Sequence, residues 1–306
     1  MGIDVSKLPV VLVVGSLHHD IMVEADHLPR ADETAVGRRW YPKFGGKGGN
    51  QAVAAQAAGA TGRMFGAVGK DGFGAFLLDV LKTRGVDHRF VRQMDDAGTG
   101  MSVAIQDARG DYAATIVSGV NLLLDPAALE QPALWEDVRV LVLQNEIPAE
   151  VNLAAAKLAR QRRVTVVLNA APAREVPAEL RGAVDVLVVN AIEAEMFGTD
   201  PVIDLASALI SARQLAAHYD NVVVTAGAHG LAAWTAEGAQ ITLPARKVRV
   251  SSTHGAGDCF TGTLAASLAS GQALAEACAA ASDAAASHVE GNDIATGGPD
   301  GINGRA

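Results

Sequence analysis

Several short runs in this chain are almost wholly apolar and rich in β-branched residues: Val10–Val14 (VVLVV), Arg63–Gly69 (RMFGAVG), Val138–Gln144 (VRVLVLQ), Val164–Asn169 (VTVVLN), Val184–Asn190 (VDVLVVN) and Asn221–Thr225 (NVVVT). A strand with apolar side chains on both faces has to be covered on both faces. Helical patterns separate several of these runs. One is the amphipathic stretch FGAFLLDVLKTRG, Phe73–Gly85, which Gly85 closes; another is AEVNLAAAKLARQRR, Ala149–Arg163. This alternation predicts an α/β fold, with a central, mostly parallel sheet flanked by helices on both faces. A length of 306 residues suits one such domain spanning 1–306, and an apolar content of 49% is enough to fill its core.

Two regions break the alternation. Residues 21–44 hold no convincing helix. Residues 100–117, GMSVAIQDARGDYAATIV, alternate in polarity and turn at ARGD, which predicts a β-hairpin. The two regions are expected to share one small antiparallel sheet, a lid beside the main domain. No clear helix is expected to close the chain, and the tail after Gly291 reads as irregular.

The charge balance narrows the partners. A net charge of −9 and an aromatic content of 4% provide neither a field nor a stacking platform for nucleic acid. No apolar run approaches the length of a membrane span, and LPVVLVVG near the start reads as a buried first strand rather than a signal segment. Two cysteines, Cys259 and Cys278, are too few for a disulfide framework or a zinc site. The expected setting is cytoplasmic.

Ligands of parallel-sheet proteins bind beyond the carboxyl ends of the strands. Here those ends lead into GSLHHD, NEIPAE, NAIEAE and TAGAHG, so Asp20, Glu146, Asn190, Glu193 and Thr225 are expected along one edge. In SSTHGAGDCF, the small residues Gly255, Ala256 and Gly257 precede Asp258 at the start of a helical run. Free N–H groups and the helix dipole make such a start an anion site, where Asp258 is either a helix cap or a base acting on a hydroxyl that attacks phosphorus. FGGKGGNQAVAAQAAG, Phe44–Gly59, is neither a Walker loop nor a dinucleotide fingerprint. Its glycines, Gly46 among them, make either a hinge or a loop that lies flat on a ligand, with Lys47 and Asn50 as donors. Asn190 and Glu193 are three apart at a helix start. They suit a capping box, or a water-rich Mg²⁺ site of hard oxygen donors. Thr225, Gly227 and Gly230 form a tight turn or a bare surface for a base or phosphate.

Taken together, these stretches resemble the ribokinase (PfkB) family of sugar kinases. GGKGGNQAVAA is similar to the family's N-terminal signature, SSTHGAGDCFTG to its C-terminal signature, and VVNAIEAE to its N-x-x-E motif. LNAAPAREVPAELRGAVDVLVVNAIEAEMFG is similar to the ribokinase branch of the family, and the resemblance runs from about residue 10 to 290. It implies a ribokinase-like fold with a β-sheet lid that pairs into a homodimer. It also implies ATP-dependent transfer of a phosphoryl group to a primary hydroxyl of a small sugar, with D-ribose the leading substrate. Asp258 would be the base, and the N–H groups of Gly255, Ala256 and Gly257 would stabilise charge on the transferring group. His18, Asp20, Gly46, Lys47, Asn50 and Glu146 would hold the sugar. Asn190, Thr225, Gly227 and Gly230 would line the nucleotide, and Asn190 and Glu193 would hold Mg²⁺ through water.

The chain departs from the family pattern in three places. His18 stands where the family usually has Asn. Ser252 replaces an acid that helps form a monovalent-cation site, so K⁺ activation is left open and expected to be weak. SHVEGNDIATGG, Ser287–Gly298, replaces the usual ending. Three alternatives stand beside the leading expectation: a kinase for another sugar or a nucleoside, a non-catalytic sugar-binding regulator, and a nicotinamide dehydrogenase. The absence of G-x-G-x-x-G after the first strand speaks against the last.

Overall fold

The computed structural model describes residues 8–109 and 111–291. The chain begins β1 (Val10–Val14), β2 (His18–Ala25), β3 (Gly37–Gly45), α1 (Lys47–Ala57), β4 (Thr61–Gly69), α2 (Gly72–Thr83) and β5 (Asp87–Met94). It continues with β6 (Met101–Gln106), β7 (Tyr112–Val117), β8 (Val138–Gln144), α3 (Ala149–Gln161), β9 (Thr165–Asn169), α4 (Ala178–Arg181) and β10 (Val186–Asn190). The remaining elements are α5 (Ala191–Met196), α6 (Leu205–Leu215), β11 (Asn221–Thr225), β12 (Gly230–Trp234), β13 (Gln240–Pro244), α7 (Ala256–Ala269) and α8 (Leu274–Val289).

Nine strands form the large sheet in the order β13-β12-β11-β10-β9-β8-β1-β4-β5. The pairs from β11 through β5 are parallel, and β12 and β13 add an antiparallel edge. Alternate side chains of β1 feed two cores. Leu12 and Val14 pack on the side of α3, and Val11 and Val13 on the side of α1, α7 and α8. This two-sided burial is the reason the strands read as continuous apolar runs. From β1 the strand order runs one way to β4 and β5 and the other way to β8–β13. The reversal opens a crevice beyond the ends of β1 and β8.

The small sheet has the order β3-β2-β6-β7. The expected hairpin is present, with Met101 opposite Val117 and Gln106 opposite Tyr112. The expectation of a wholly antiparallel sheet is corrected, because β2 and β6 pair in parallel. Each is the inner strand of its own antiparallel pair, and a long passage through the main sheet separates them. Nothing short enough to force an antiparallel return joins them.

A second correction concerns the end of the chain. Residues Leu274–Val289 form a 16-residue helix, α8. Its alanine-rich sequence favours helix strongly, but so many small side chains blur the apolar stripe that would announce it. The tail expected to be irregular, from residue 292 on, lies outside the described residues.

Candidate active site

The crevice is built first by the approach of α1 to the exit of β1. Gly46 caps α1 with φ at +86°, and a Cβ there would lie 2.7 Å from the His18 nitrogen and 2.8 Å from the Leu17 Cα. Only a glycine satisfies both the backbone angle and the space. The close fit brings Lys47 and Asn50 over the loop that leads into β2.

On the lid side, Glu146 is the hub. Its Oε2 accepts from Ser16 Oγ at 2.5 Å and from the Lys47 backbone N–H at 2.9 Å. His18 Nδ1 lies 3.8 Å from the same oxygen, and His18 Nε2 is buried with no protein partner among the described residues. Asp20 is buried as well and accepts from Ser102 Oγ at 2.5 Å, which ties β2 to β6 at the mouth of the crevice.

On the helix side, Asp258 occupies the third position of α7 and is buried. Its Oδ2 accepts from Asn50 Nδ2 at 3.1 Å and its Oδ1 from Gln51 Nε2 at 2.9 Å. Burial pushes the Asp258 carboxyl above the ordinary aspartate value, while Lys47, Asn50 and Gln51 oppose the rise. Lys47 answers to the same field. Burial pulls its ammonium down, but the carboxylates of Asp258, Glu146 and Glu193 outweigh burial and hold it above the ordinary lysine value.

The loop before Asp258 leaves backbone donors open. Gly255 caps α7 with φ at +83°. Among the described residues, the N–H groups of Gly255, Gly257 and Asp258 have no protein acceptor, whereas that of Ala256 turns back to the Thr253 carbonyl at 3.2 Å. The free donors are therefore those of 255, 257 and 258. Behind the loop, His288 of α8 donates through Nε2 to the His254 carbonyl at 2.8 Å; a carbonyl only accepts, so Nε2 carries the proton. Ser251 N–H donates to the Val289 carbonyl at 2.8 Å.

Asn190 and Glu193 form the capping box of α5: Asn190 Oδ1 accepts from the Glu193 N–H at 2.8 Å, and Glu193 Oε2 from the Asn190 N–H at 2.9 Å. Burial raises the Glu193 carboxyl above its ordinary value, while the cap and Lys47 pull it down and Asp258 adds to the rise. Among the described residues, no group of three or more His, Cys, Asp or Glu is arranged to hold a metal ion. Two hard oxygen donors beside a field of carboxylates suit a cation that keeps most of its water, as Mg²⁺ does. Thr225 pairs with Asn190 across β10 and β11, and its hydroxyl donates to the Val189 carbonyl at 3.4 Å. Gly227 and Gly230 shape the turn that follows. A Cβ on Gly230 would lie 2.0 Å from the Leu243 carbonyl oxygen, so that glycine answers to β13. No hydrogen bond among the described residues links Thr225, Gly227 or Gly230 to the Asp258 cluster.

The structure thus gathers His18, Asp20, Gly46, Lys47, Asn50, Glu146 and Asp258 where β2, α1 and α7 meet, with open backbone donors at the start of α7. Sequence reasoning missed Ser16, Gln51, Ser102, Asn169 and His288. Gln51 adjoins Asn50 in a stretch already singled out, and Asn169 ends a run already read as a strand; position alone could have flagged both. Ser102 and His288 act through contacts distant in sequence.

Among families of known proteins, the pfkB family carbohydrate kinases match residues 9–297. Ribokinase of Bacillus subtilis is 32% identical over 283 residues, 91% of this chain and 92% of that one. Ribokinase of Lactococcus lactis is 34% identical over 261 residues, 83% of this chain and 82% of its own length. The structure of Arabidopsis thaliana ribokinase complexed with ribose and ATP superposes with a TM-score of 0.86 at 27% identity, covering 93% of each chain.

Proposed function

Because the chain belongs to the pfkB family of carbohydrate kinases, we propose that it is an ATP-dependent sugar kinase that converts D-ribose to ribose 5-phosphate. The observation that carries this reading is a buried carboxylate, Asp258, directly beside unpaired N–H donors at a helix start. Asp258 takes the proton from the primary hydroxyl of the sugar. The hydroxyl oxygen bonds to the γ-phosphorus of ATP as the bond from that phosphorus to the β–γ bridging oxygen breaks, leaving ADP. The N–H groups of Gly255, Gly257 and Asp258 face the charge that spreads over the transferring phosphoryl group. Fixed donors of this kind are worth roughly 10²–10³ in rate.

His18, Asp20, Gly46, Lys47, Asn50 and Glu146 hold the sugar, and Lys47 also offsets negative charge between sugar and phosphate. Asn190, Thr225, Gly227 and Gly230 line the nucleotide. Asn190 and Glu193 hold Mg²⁺ through water; when bound, the ion neutralises phosphate charge. Ser252 brings no charge to a monovalent cation, so K⁺ stimulates weakly. The small sheet acts as the lid of a single domain. It exposes Trp40 at 65% and Val117 at 54%, which the strand register places on the same face of the sheet, an apolar surface suited to a second lid in a homodimer. Among the described residues no helix is long and apolar enough to cross a membrane, and an ATP-consuming sugar kinase belongs in the cytoplasm.

The test is ADP release from ATP and Mg²⁺ over a panel of sugars and nucleosides, in K⁺ and in Na⁺. D-ribose is expected to give the highest kcat/KM, with little difference between the cations. A second reading keeps the kinase chemistry and changes the sugar. The unpaired, buried Nε2 of His18 favours it, because that atom selects a hydroxyl pattern of its own. Turnover with another panel member alone would establish that reading. Absence of turnover across the panel, with ATP still bound, would point to a sugar-binding regulator.

A further inference from the structure

Two amides hold Asp258, and they are not equivalent. Asn50 Nδ2 reaches Oδ2 at 3.1 Å, and its own Oδ1 is buried without a partner among the described residues. Gln51 Nε2 donates at once to Asp258 Oδ1 at 2.9 Å and to Asn169 Oδ1 at 3.0 Å. One amide nitrogen has two hydrogens, and both are used here on oxygens. This orients the amide and, among the described residues, leaves Gln51 Oε1 buried and unpaired. A buried amide that leaves its own acceptor unsatisfied, at some cost, in order to aim both donors has been placed for those donors.

The packing supports the same point. Gly262, on α7 one turn beyond Asp258, faces the Gln51 carbonyl; a Cβ there would lie 2.4 Å from that oxygen. The missing side chain lets α1 and α7 approach closely enough for Gln51 to touch the aspartate. Asn169, at the end of β9, anchors the other side of the amide to the sheet.

Building on the kinase reading, we propose that Gln51 is a positioning residue for the base: it fixes Oδ1 of Asp258 from beneath, so that Asn50 is free to leave Oδ2 and turn to the sugar, and Oδ2 receives the proton of the attacking hydroxyl. The base keeps its direction through the exchange because Gln51, tied to Asn169, does not move with the substrate. Loss of Gln51 also removes a donor that favours the ionised carboxylate, so the carboxyl becomes harder to ionise.

The test compares wild type with Gln51→Met, which keeps volume and removes the donor. The Asp258 carboxyl is followed by ¹³C NMR titration, assigned with Asp258→Asn, and kcat is measured against pH. Lys47, Glu146 and Glu193 also face Asp258 and are the same in both proteins, so the difference isolates Gln51. In Gln51→Met the carboxyl is expected to titrate at higher pH, the acid limb of kcat to move with it, and kcat to fall about tenfold or more. KM for sugar and ATP should change by less than about threefold. Gln51→Glu, the isostere that places a second acid beside Asp258, should move the titration further in the same direction and supplies the test if the Met variant does not fold. An unchanged titration with unchanged kcat overturns the proposal. So does a loss of thermal stability with an unchanged titration, which is the mark of a purely structural glutamine. If the titration shifts but wild type phosphorylates no sugar, the kinase reading falls and the placement of Asp258 by Gln51 stands.

Discussion

Asp258 is an acid held where acids are costly. Its carboxyl is pushed upward by burial and by the nearby Glu146, while Lys47 and two amides oppose the rise. The sign follows from linkage. A folded-state value above the unfolded one means that the native protein loses stability as pH rises between the two values and bears the full cost above the higher one. Asp258→Asn removes that cost along with the base. The variant is expected to melt at a higher temperature than wild type at neutral pH, to bind sugar by calorimetry, and to turn over about 10²–10⁴-fold more slowly. Near-normal turnover would remove Asp258 as the base, and an unchanged melting temperature would remove the linkage argument. In the sequence, Asp258, Lys47 and Asn50 were legible because each sits beside glycines in a stretch with more small residues than a turn requires. The engagement of Ala256 N–H by Thr253 was not, because which donors stay open depends on the turn taken by one backbone segment. Asn190 and Glu193 were legible as a pair, and both cap bonds are formed; their role toward Mg²⁺ rests on the kinase reading.

At the scale of elements, the candidate site depends on two helices meeting where their backbones nearly touch. A methyl on Gly262 would lie 2.4 Å from the Gln51 carbonyl oxygen and 2.6 Å from the Ala54 Cβ. Gly262→Ala is therefore expected to destabilise the protein by about 1–3 kcal/mol in chemical denaturation and to lower kcat by forcing α1 away from Asp258. Wild-type stability together with wild-type kcat would show that the helices adjust without loss. The strands of the large sheet were legible because burial on both faces writes itself into composition. Strand β5, with its exposed positions, was not read, nor were the edge strands β12 and β13. α2 was legible at its C-terminal end, where Gly85 follows the helix at φ +74°; its start was not read, although Asp71 caps it by accepting from the Gly74 N–H at 2.8 Å. The parallel pairing of β2 with β6 was illegible, because local pattern identifies strands and carries no direction for neighbours distant in sequence.

The whole molecule carries His18 and Asp20 on the small sheet and Asp258 on a helix of the large domain. If two lids pair through Trp40 and Val117, then Trp40→Glu is expected to convert a dimer to a monomer in sedimentation, with Asp258 untouched. A wild-type monomer at micromolar concentration would refute the lid dimer. The parallel pairing of β2 and β6 also constrains the order of assembly. β2 is finished by residue 25 and its partner does not begin until residue 101; α1, β4, α2 and β5 lie between them in the chain. Loop closure over such a distance follows, rather than precedes, the local βα units. During synthesis from the ribosome, β2 emerges early and waits with an unpaired edge until the hairpin of β6 and β7 leaves the exit tunnel. His18 and Asp20 are on that waiting strand, so their side of the candidate site is among the last parts of the N-terminal half to exist.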